Sequence, residues 1–146
     1  MVRKIQLKNN NISNIIINIK MLVSIESPYN NVDPMILKRN INYAILAMKD
    51  SAKNYGESPY LSHLLLTQTV NNKEHIYIDD NVVDPFGIGR EMALNITNEF
   101  RKRVDKIVFY VNFGYSNGML FAKDFAIKNN IPIEERYLSD EMMTAL

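Results

Sequence analysis

The residues best suited by type to bind a small molecule are concentrated in a polar loop at residues 112–118 (Asn-Phe-Gly-Tyr-Ser-Asn-Gly). A β-branched and aromatic run at residues 107–111 precedes this loop and is typical of a buried strand. After the loop, the apolar period changes from 2 to 3.6, which predicts a helix. A strand that leads through such a loop into a helix points backbone N–H groups at anions or other acceptor-rich ligands. The alternative is an ordinary βα turn without a ligand, because such loops are common in this fold class.

Both the aromatic and the polar side chains of this loop are predicted to contact the ligand. The predicted binding residues here are Phe113, Gly114, Tyr115, Ser116, Asn117, Gly118 and Met119. Aromatic rings can stack on a ligand ring, and the serine and asparagine can hydrogen-bond to sugar or phosphate. In the helix that follows, one stripe predicted to face the core consists of Phe121, Ala122, Phe125 and Ala126.

A second unusual loop follows the first strong strand of the sequence, which is predicted at residues 21–26 (Met-Leu-Val-Ser-Ile-Glu). Ser27, Pro28 and Tyr29 come directly after it and are also predicted to bind the ligand. Proline fixes its own φ and pushes the preceding serine into an extended conformation.

Three ionisable residues are candidates for chemistry. His63 lies in a predicted second strand at residues 60–67 and is included among the binding residues, although a histidine among apolar neighbours is more often structural than catalytic. Glu26 and Glu91 are weak candidates for an acid or base role. A structural ion pair or a solvent-exposed side chain is the simpler explanation for both carboxylates.

The remaining elements are predicted from caps and periodicity. Asp33 and Pro34 start a long helix that ends at Gly56, and Asp84 and Pro85 repeat this start signal. The second of these helices carries one apolar side, formed by Ile88, Met92, Ala93, Ile96 and Phe100. A last strand is predicted at residues 131–137, and the tail after it either forms a short helix or frays.

This alternation of strands and helices predicts an α/β fold with a parallel sheet covered on both faces. We expect a flavodoxin-like or Rossmann-like three-layer sandwich of four or five strands, with the strand order 2-1-3-4. In that order, ligands bind at the carboxyl ends of the first and third strands, where the winding reverses. The two loops described above follow these two strands, so the sequence predicts that they meet at one crevice.

Composition limits the class of protein. A chain of 146 residues is the size of one domain, and it divides into an extension (1–20), the α/β domain (21–138) and a tail (139–146). The absence of cysteine suits a reducing compartment, and the start lacks the apolar core of a signal peptide, so a cytoplasmic location is expected. The net charge of +1 gives no global case for nucleic-acid or membrane partners.

No metal site or other cofactor is predicted. The long connection at residues 68–83 contains His75, Asp79 and Asp80, which are metal-ligand types without ligand spacing. A connection of this length is often functional or mobile.

Five sequence features, taken in order, resemble the nucleoside 2-deoxyribosyltransferase-like superfamily, especially its small uncharacterised phage and viral members. They are the Ser-Pro-Tyr at 27–29, Asn42-Tyr43-Ala44, Ser62-His63, Asp105, and the turn at residues 116–119. The resemblance covers residues 21–138, and no single motif in it is specific. It implies a flavodoxin-like fold, a nucleoside or nucleotide ligand, and a homo-oligomer of two or more copies.

The resemblance also implies a catalytic glutamate, and here the chain departs from the pattern. In the enzymes of this superfamily, a glutamate one turn into the helix attacks the anomeric carbon. It typically lies four residues after the glycine of the turn, which in this chain is Ala122. Asp124 is two residues further on, roughly 200° around the helix, and cannot simply replace that carboxylate.

Three functions follow, in order of preference. The first is a non-catalytic nucleoside- or nucleotide-binding protein that sequesters its ligand, for example an ADP-ribose derivative in a virus. The second is an active deoxyribosyltransferase or nucleotide N-glycosidase that uses a relocated carboxylate. The third is a structural or interaction protein on a reused fold.

Overall fold

The computed structural model describes residues 20–66 and 88–146, together with the backbone of four short strands outside these ranges. Those strands form two separate antiparallel pairs. In the first, β1 (Arg3–Ile5) pairs with β2 (Ile17–Ile19), and in the second, β5 (Tyr77–Ile78) pairs with β6 (Asn81–Val82). The predictions for His75, Asp79 and Asp80 concern residues outside the described part of the chain. The predicted limits of the extension, the α/β domain and the tail are not tested by these strands and remain a prediction.

The central element is a four-stranded, all-parallel sheet. Its strands are β3 (Leu22–Glu26), β4 (Ser58–Tyr60), β7 (Lys106–Tyr110) and β8 (Ile133–Arg136), and they lie in the order β4-β3-β7-β8. This order confirms the predicted α/β fold and its 2-1-3-4 strand arrangement. The winding reverses between β3 and β7, so their carboxyl ends form the crevice in which such folds bind ligands.

Helices cover both faces of this sheet. They are α1 (Pro34–Asn54), α2 (Ser62–Leu65), α3 (Arg90–Arg101), α4 (Asn117–Lys128) and α5 (Asp140–Met143). The start of α1 is as predicted, since the Asp33 side chain accepts a hydrogen bond of 2.8 Å from the Met35 N–H. Gly56 follows the end of α1 with φ 64°, a left-handed conformation that glycine adopts without strain. The tail forms a short helix rather than a frayed end.

Alternate residues of the central strands supply two separate cores. Val108 and Tyr110 point to the face covered by α1, and Ile107 and Phe109 point to the face covered by α4. All four side chains are fully buried. The carboxyl ends of β3 and β7 are thereby held by packing on both sides of the sheet.

One predicted strand is wrong in part. Residues 60–67 were expected to be a strand, but β4 ends at Tyr60 and the chain then turns into α2, which contains His63. A short apolar run does not distinguish a strand from a helix by periodicity alone. Pro59 is tolerated because β4 is an edge strand of the sheet.

Two helix predictions also need correction. The predicted start at Asp84 and Pro85 lies outside the described residues, and α3 begins only at Arg90 after the N-cap Gly89, so Ile88 precedes the helix. In α4 the buried residues are Met119, Ala122 and Ala126, whereas Phe121 is 53% exposed. Phe121 is therefore on the solvent side of the helix and not in the predicted core stripe.

Within the described residues, no helix combines the length and the apolar character that crossing a membrane would require.

Candidate functional site

A cleft of about 520 Å³ opens at the carboxyl ends of β3 and β7. The loop after β3, the loop after β7 and one side each of α1, α2 and α3 line it, together with the first residues of α4. Its volume is within the range usual for small-molecule sites. The predicted residues that line the cleft are Ser27, Pro28, Tyr29, His63, Phe113, Tyr115, Ser116, Asn117, Gly118 and Met119.

Two predicted residues do not line the cleft. Gly114 occupies the turn after β7 with φ 75°, a conformation that favours glycine, and its role is to shape the loop. Glu91 is exposed in the first turn of α3 and is not part of the lining. Of the two carboxylates considered for catalysis, only Glu26 therefore reaches the site.

Glu26 lies at the floor of the cleft in a buried ion pair. Its Oε1 accepts hydrogen bonds from Arg101 Nε at 2.9 Å and from Arg101 Nη2 at 2.7 Å. Both residues are 4% exposed. Burial raises the pKa of the Glu26 carboxyl, although the positive charge and hydrogen bonds of Arg101 act in the opposite direction. Glu26 Oε2 has no hydrogen-bond partner among the described residues.

Ser27 and His63 form a second polar pair in the cleft. Ser27 Oγ lies 3.2 Å from His63 Nε2, and the imidazole stacks on the Tyr29 ring with 5.1 Å between ring centroids. Burial, with a smaller effect of Arg101, lowers the pKa of His63 to about 4. His63 is therefore neutral near pH 7 and a weak base. This favours a positioning role over proton abstraction from Ser27.

The first turn of α4 brings backbone N–H groups that have no acceptor among the described residues to the cleft. In α4, Ser116 Oγ accepts a hydrogen bond from the Met119 N–H at 3.3 Å, while the N–H groups of Asn117 and Gly118 have no acceptor among the described residues. Unlike α4, the first turn of α3 has no side-chain cap among the described residues, and Arg90 at its start lines the cleft. Unpaired N–H groups at a helix start carry partial positive charge and bind anions.

Three arginines that the sequence analysis did not single out give the cleft a positive charge. Arg39, Arg90 and Arg101 line it, whereas Glu26 is its one acidic residue among the described part of the chain. Arg39 lies over the Phe113 ring, 4.0 Å from its centroid, and donates to Asn40 Oδ1. These residues come from helices distant in sequence, so no local motif marks them. One signal in the sequence could have indicated two of them, because the spacing of Arg90 and Arg101 places both on one side of a helix.

A partly buried hydrogen-bond network positions the loop after β7. Tyr43 of α1 donates to Asn112 Oδ1 at 2.8 Å and accepts a hydrogen bond from the Asn112 N–H at 3.0 Å. The Asn112 side chain also bonds to both the N–H and the C=O of Leu138. The Asn112 side chain therefore connects the loop after β7 to α1 and to Leu138. These hydrogen bonds hold in place the first residue of the loop that carries Phe113 and Tyr115. The Tyr115 hydroxyl is bonded to Glu135, so only the ring of Tyr115 is available to a ligand.

The position at which the superfamily resemblance places a nucleophile does not face the cleft. Ala122 is fully buried and packs in the core that contains Ile107 and Phe109. Asp124 lies on the solvent side of α4 and pairs with Lys128 at 2.7 Å. The lack of a carboxylate at residue 122 therefore does not decide whether the cleft is catalytic.

Sequence comparison assigns a family but not an activity. Residues 21–136 match the family described as Domain of unknown function (DUF7768). The chain belongs to this family. No match was found among curated proteins or among solved structures. The DUF7768 match covers β3, the cleft and β8, so the site described above lies inside the family domain.

Proposed function

We propose that the cleft binds a nucleoside or nucleotide, with its phosphate at the first turns of α3 and α4. The observation that carries the proposal is that the first turn of α4, whose N–H groups have no acceptor among the described residues, and the side chains of Arg39 and Arg90 line one cleft. This cleft lies where the winding of the sheet reverses, which is the usual ligand site of the fold. An anionic group is the ligand chemistry that this arrangement favours.

Ring surfaces beside this positive region support a ligand with an aromatic base. Phe113 and Tyr29 both line the cleft, and the ring of Phe113 is 38% exposed and held by Arg39 on one side. Ser116 and the amide of Asn117 supply hydrogen-bonding groups of the kind that bind sugar hydroxyls. We propose that the protein sequesters its ligand by binding it without converting it. An ADP-ribose-type molecule is one such ligand.

Thermal-shift measurements with matched ligands test the proposal. The set contains inorganic phosphate, a nucleoside, its monophosphate, NAD and ADP-ribose, and the ligand is recovered and analysed by chromatography. A ligand at about 100 times its Kd stabilises by about 2.7 kcal/mol, which raises the Tm of a domain of this size by about 5 to 10 °C. We expect the monophosphate to bind more tightly than the nucleoside. No shift with any member of the set would refute the proposal.

Two variants of α3 separate a specific phosphate contact from a general effect of charge. Arg90→Gln removes a charge that lines the cleft, whereas Arg103→Gln removes an exposed charge just after the same helix. We expect Arg90→Gln to weaken monophosphate binding roughly tenfold, since a charge-assisted hydrogen bond contributes about 1.5 kcal/mol or more. Nucleoside binding should be unchanged in both variants. Equal losses in both variants would argue against a phosphate contact at Arg90.

The geometry of Glu26 supports one alternative, an N-glycosidic hydrolase or transferase. Arg101 holds one carboxylate oxygen, and Oε2 is left without a partner among the described residues. A carboxyl with a raised pKa in a cleft is suited to general acid catalysis on a glycosidic bond. Free base released by the wild type and not by Glu26→Gln would support this activity. Intact ligand recovered from the wild type would support the non-catalytic binder.

Glu26→Gln needs a folding control, because the substitution also alters a buried ion pair. Glutamine keeps an oxygen acceptor for Arg101 but removes the negative charge that compensates the buried guanidinium. Ligand binding by the variant is therefore measured together with turnover. A variant that binds the monophosphate normally and releases no base would assign Glu26 to the chemistry rather than to the fold.

A further inference from the structure

The two carboxylate oxygens of Glu26 have different surroundings. Arg101 Nε and Nη2 both donate to Oε1, and Ser24 Oγ lies 3.5 Å from the same oxygen. No described residue donates to Oε2. Glu26 is almost fully buried, yet Oε2 is not among the side-chain atoms of the described residues that are closed off from solvent without a hydrogen bond. This second oxygen is therefore open to the cleft, which Glu26 lines.

A carboxylate oxygen in this situation favours a ligand that brings a hydrogen-bond donor. The two hydrogen bonds from the Arg101 guanidinium stabilise the ionised form of the carboxyl, in which both oxygens only accept. Arg101 Nη1 donates to Asn98 Oδ1 at 2.8 Å, which fixes the guanidinium and with it the carboxylate. A nearly buried acceptor without a donor costs free energy, and a donor on the ligand removes that cost.

The position of Glu26 in the sheet indicates which part of a nucleotide supplies this donor. Glu26 pairs with Phe109 in the register of β3 and β7, and both side chains lie on the face covered by α3 and α4. The first turn of α4, where we place the phosphate, lies over the same face. Phe113, where we place the base, contacts Tyr43 of α1 on the opposite face. In a nucleotide the sugar lies nearer to the phosphate than the base does, so sugar hydroxyls are the donors that match Glu26.

We propose that Glu26 Oε2 accepts hydrogen bonds from the ribose hydroxyls of the ligand, so that the cleft selects a ribonucleotide over its 2′-deoxy form. The inference rests on the proposed nucleotide site and assigns the sugar of its ligand. One carboxylate oxygen has two lone pairs and can accept from both hydroxyls of a ribose. A site built to bond a hydroxyl rejects the analogue that lacks it, because a charged acceptor is then left unpaired. This selection is the opposite of the one that the name of the 2-deoxyribosyltransferase-like superfamily implies.

Titration calorimetry with matched ligands measures this selection. One pair of ligands is AMP and 2′-deoxy-AMP, and a second pair without a base is ribose 5-phosphate and 2-deoxyribose 5-phosphate. We expect the ribose form of each pair to bind the wild type roughly tenfold more tightly, as a charge-assisted hydrogen bond predicts. IMP, which lacks the amino group of AMP, is the third arm. Loss of affinity for IMP without any effect of the 2′-deoxy change would assign Oε2 to the base and overturn the proposal.

Two variants separate recognition of the sugar from a general effect on the fold. In Glu26→Gln, Arg101 still needs an oxygen acceptor, so the glutamine presents its NH₂ group to the cleft in place of Oε2. A neutral hydrogen bond is about half as strong as a charge-assisted one, so the preference for AMP over 2′-deoxy-AMP should fall from roughly tenfold to roughly threefold. Glu91→Gln makes the same chemical change at an exposed residue that does not line the cleft, and it should keep the wild-type preference.

The ratio of the two dissociation constants distinguishes the possible outcomes. A purely structural role of Glu26 would weaken both ligands equally, and an unchanged ratio in Glu26→Gln would overturn the proposal. Equal binding of both members of each pair by the wild type would also overturn it, would leave the nucleotide site intact, and does not depend on any variant folding. No binding of any of these phosphate-bearing ligands would instead remove the proposed function, and the assignment of its sugar with it.

Discussion

Replacing Glu57 by glutamine should destabilise the protein at neutral pH and have much less effect in acid. Glu57 is 6% exposed and accepts hydrogen bonds from Arg136 Nη1 and Nη2, each at 2.8 Å, and from Ser51 at 2.7 Å. Lys106 Nζ lies 2.9 Å from its Oε1. Burial by itself would raise the pKa of Glu57, but these hydrogen bonds and charges lower it to about 2.

The size of the effect follows from linkage between protonation and folding. A carboxyl whose pKa falls from 4.5 when unfolded to about 2 when folded contributes about 3 kcal/mol of stability at neutral pH. Because the folded pKa is the lower one, this stability is fully present above the unfolded pKa and is lost as the pH falls toward 2. About 1.4 kcal/mol of it should already be lost at about pH 3.5.

Urea unfolding of the wild type and Glu57→Gln across this pH range measures the effect. The informative quantity is the difference in unfolding free energy between the two proteins at each pH, because carboxyls that do not share partners with Glu57 titrate alike in both. Glu134, which also pairs with Arg136 and Lys106, is the exception. We expect this difference to be about 3 kcal/mol larger at pH 7 than at full protonation of Glu57. A difference that does not change with pH would refute the claim that Arg136 and Lys106 stabilise the ionised carboxylate.

Three further predictions concern single residues. Asp33→Ala removes the N-cap of α1 and should lower the free energy of unfolding in urea by about 1 kcal/mol, with Asp33→Asn as the control that retains the cap. Asn112→Ala leaves the Tyr43 hydroxyl and the Leu138 N–H without their acceptor and should cost about 2 kcal/mol; an unchanged urea midpoint would contradict the network. The imidazole of His63 should titrate near 4 in an NMR pH series, and a titration near its ordinary 6.5 would show that it is solvated.

The parts of the fold that were predictable are those determined by local sequence. Asp33 and Pro34 mark the start of α1 because a cap and an N1 proline act within one turn. In β7, residues 107–110 form a continuous apolar run, as expected for a strand buried on both faces. The connectivity of the chain then indicated the strand order. That order implies that the loops after β3 and β7 meet, and residues of both loops line the same cleft.

The parts that were not predictable depend on partners far apart in the chain. Arg101 is 75 residues from Glu26, and nothing in either local sequence indicates that the two form a buried pair. The role of Arg39 depends on Phe113 from another loop. Phe121 was misplaced for a different reason, since its periodicity indicates an apolar side of α4 without indicating which apolar side meets the core.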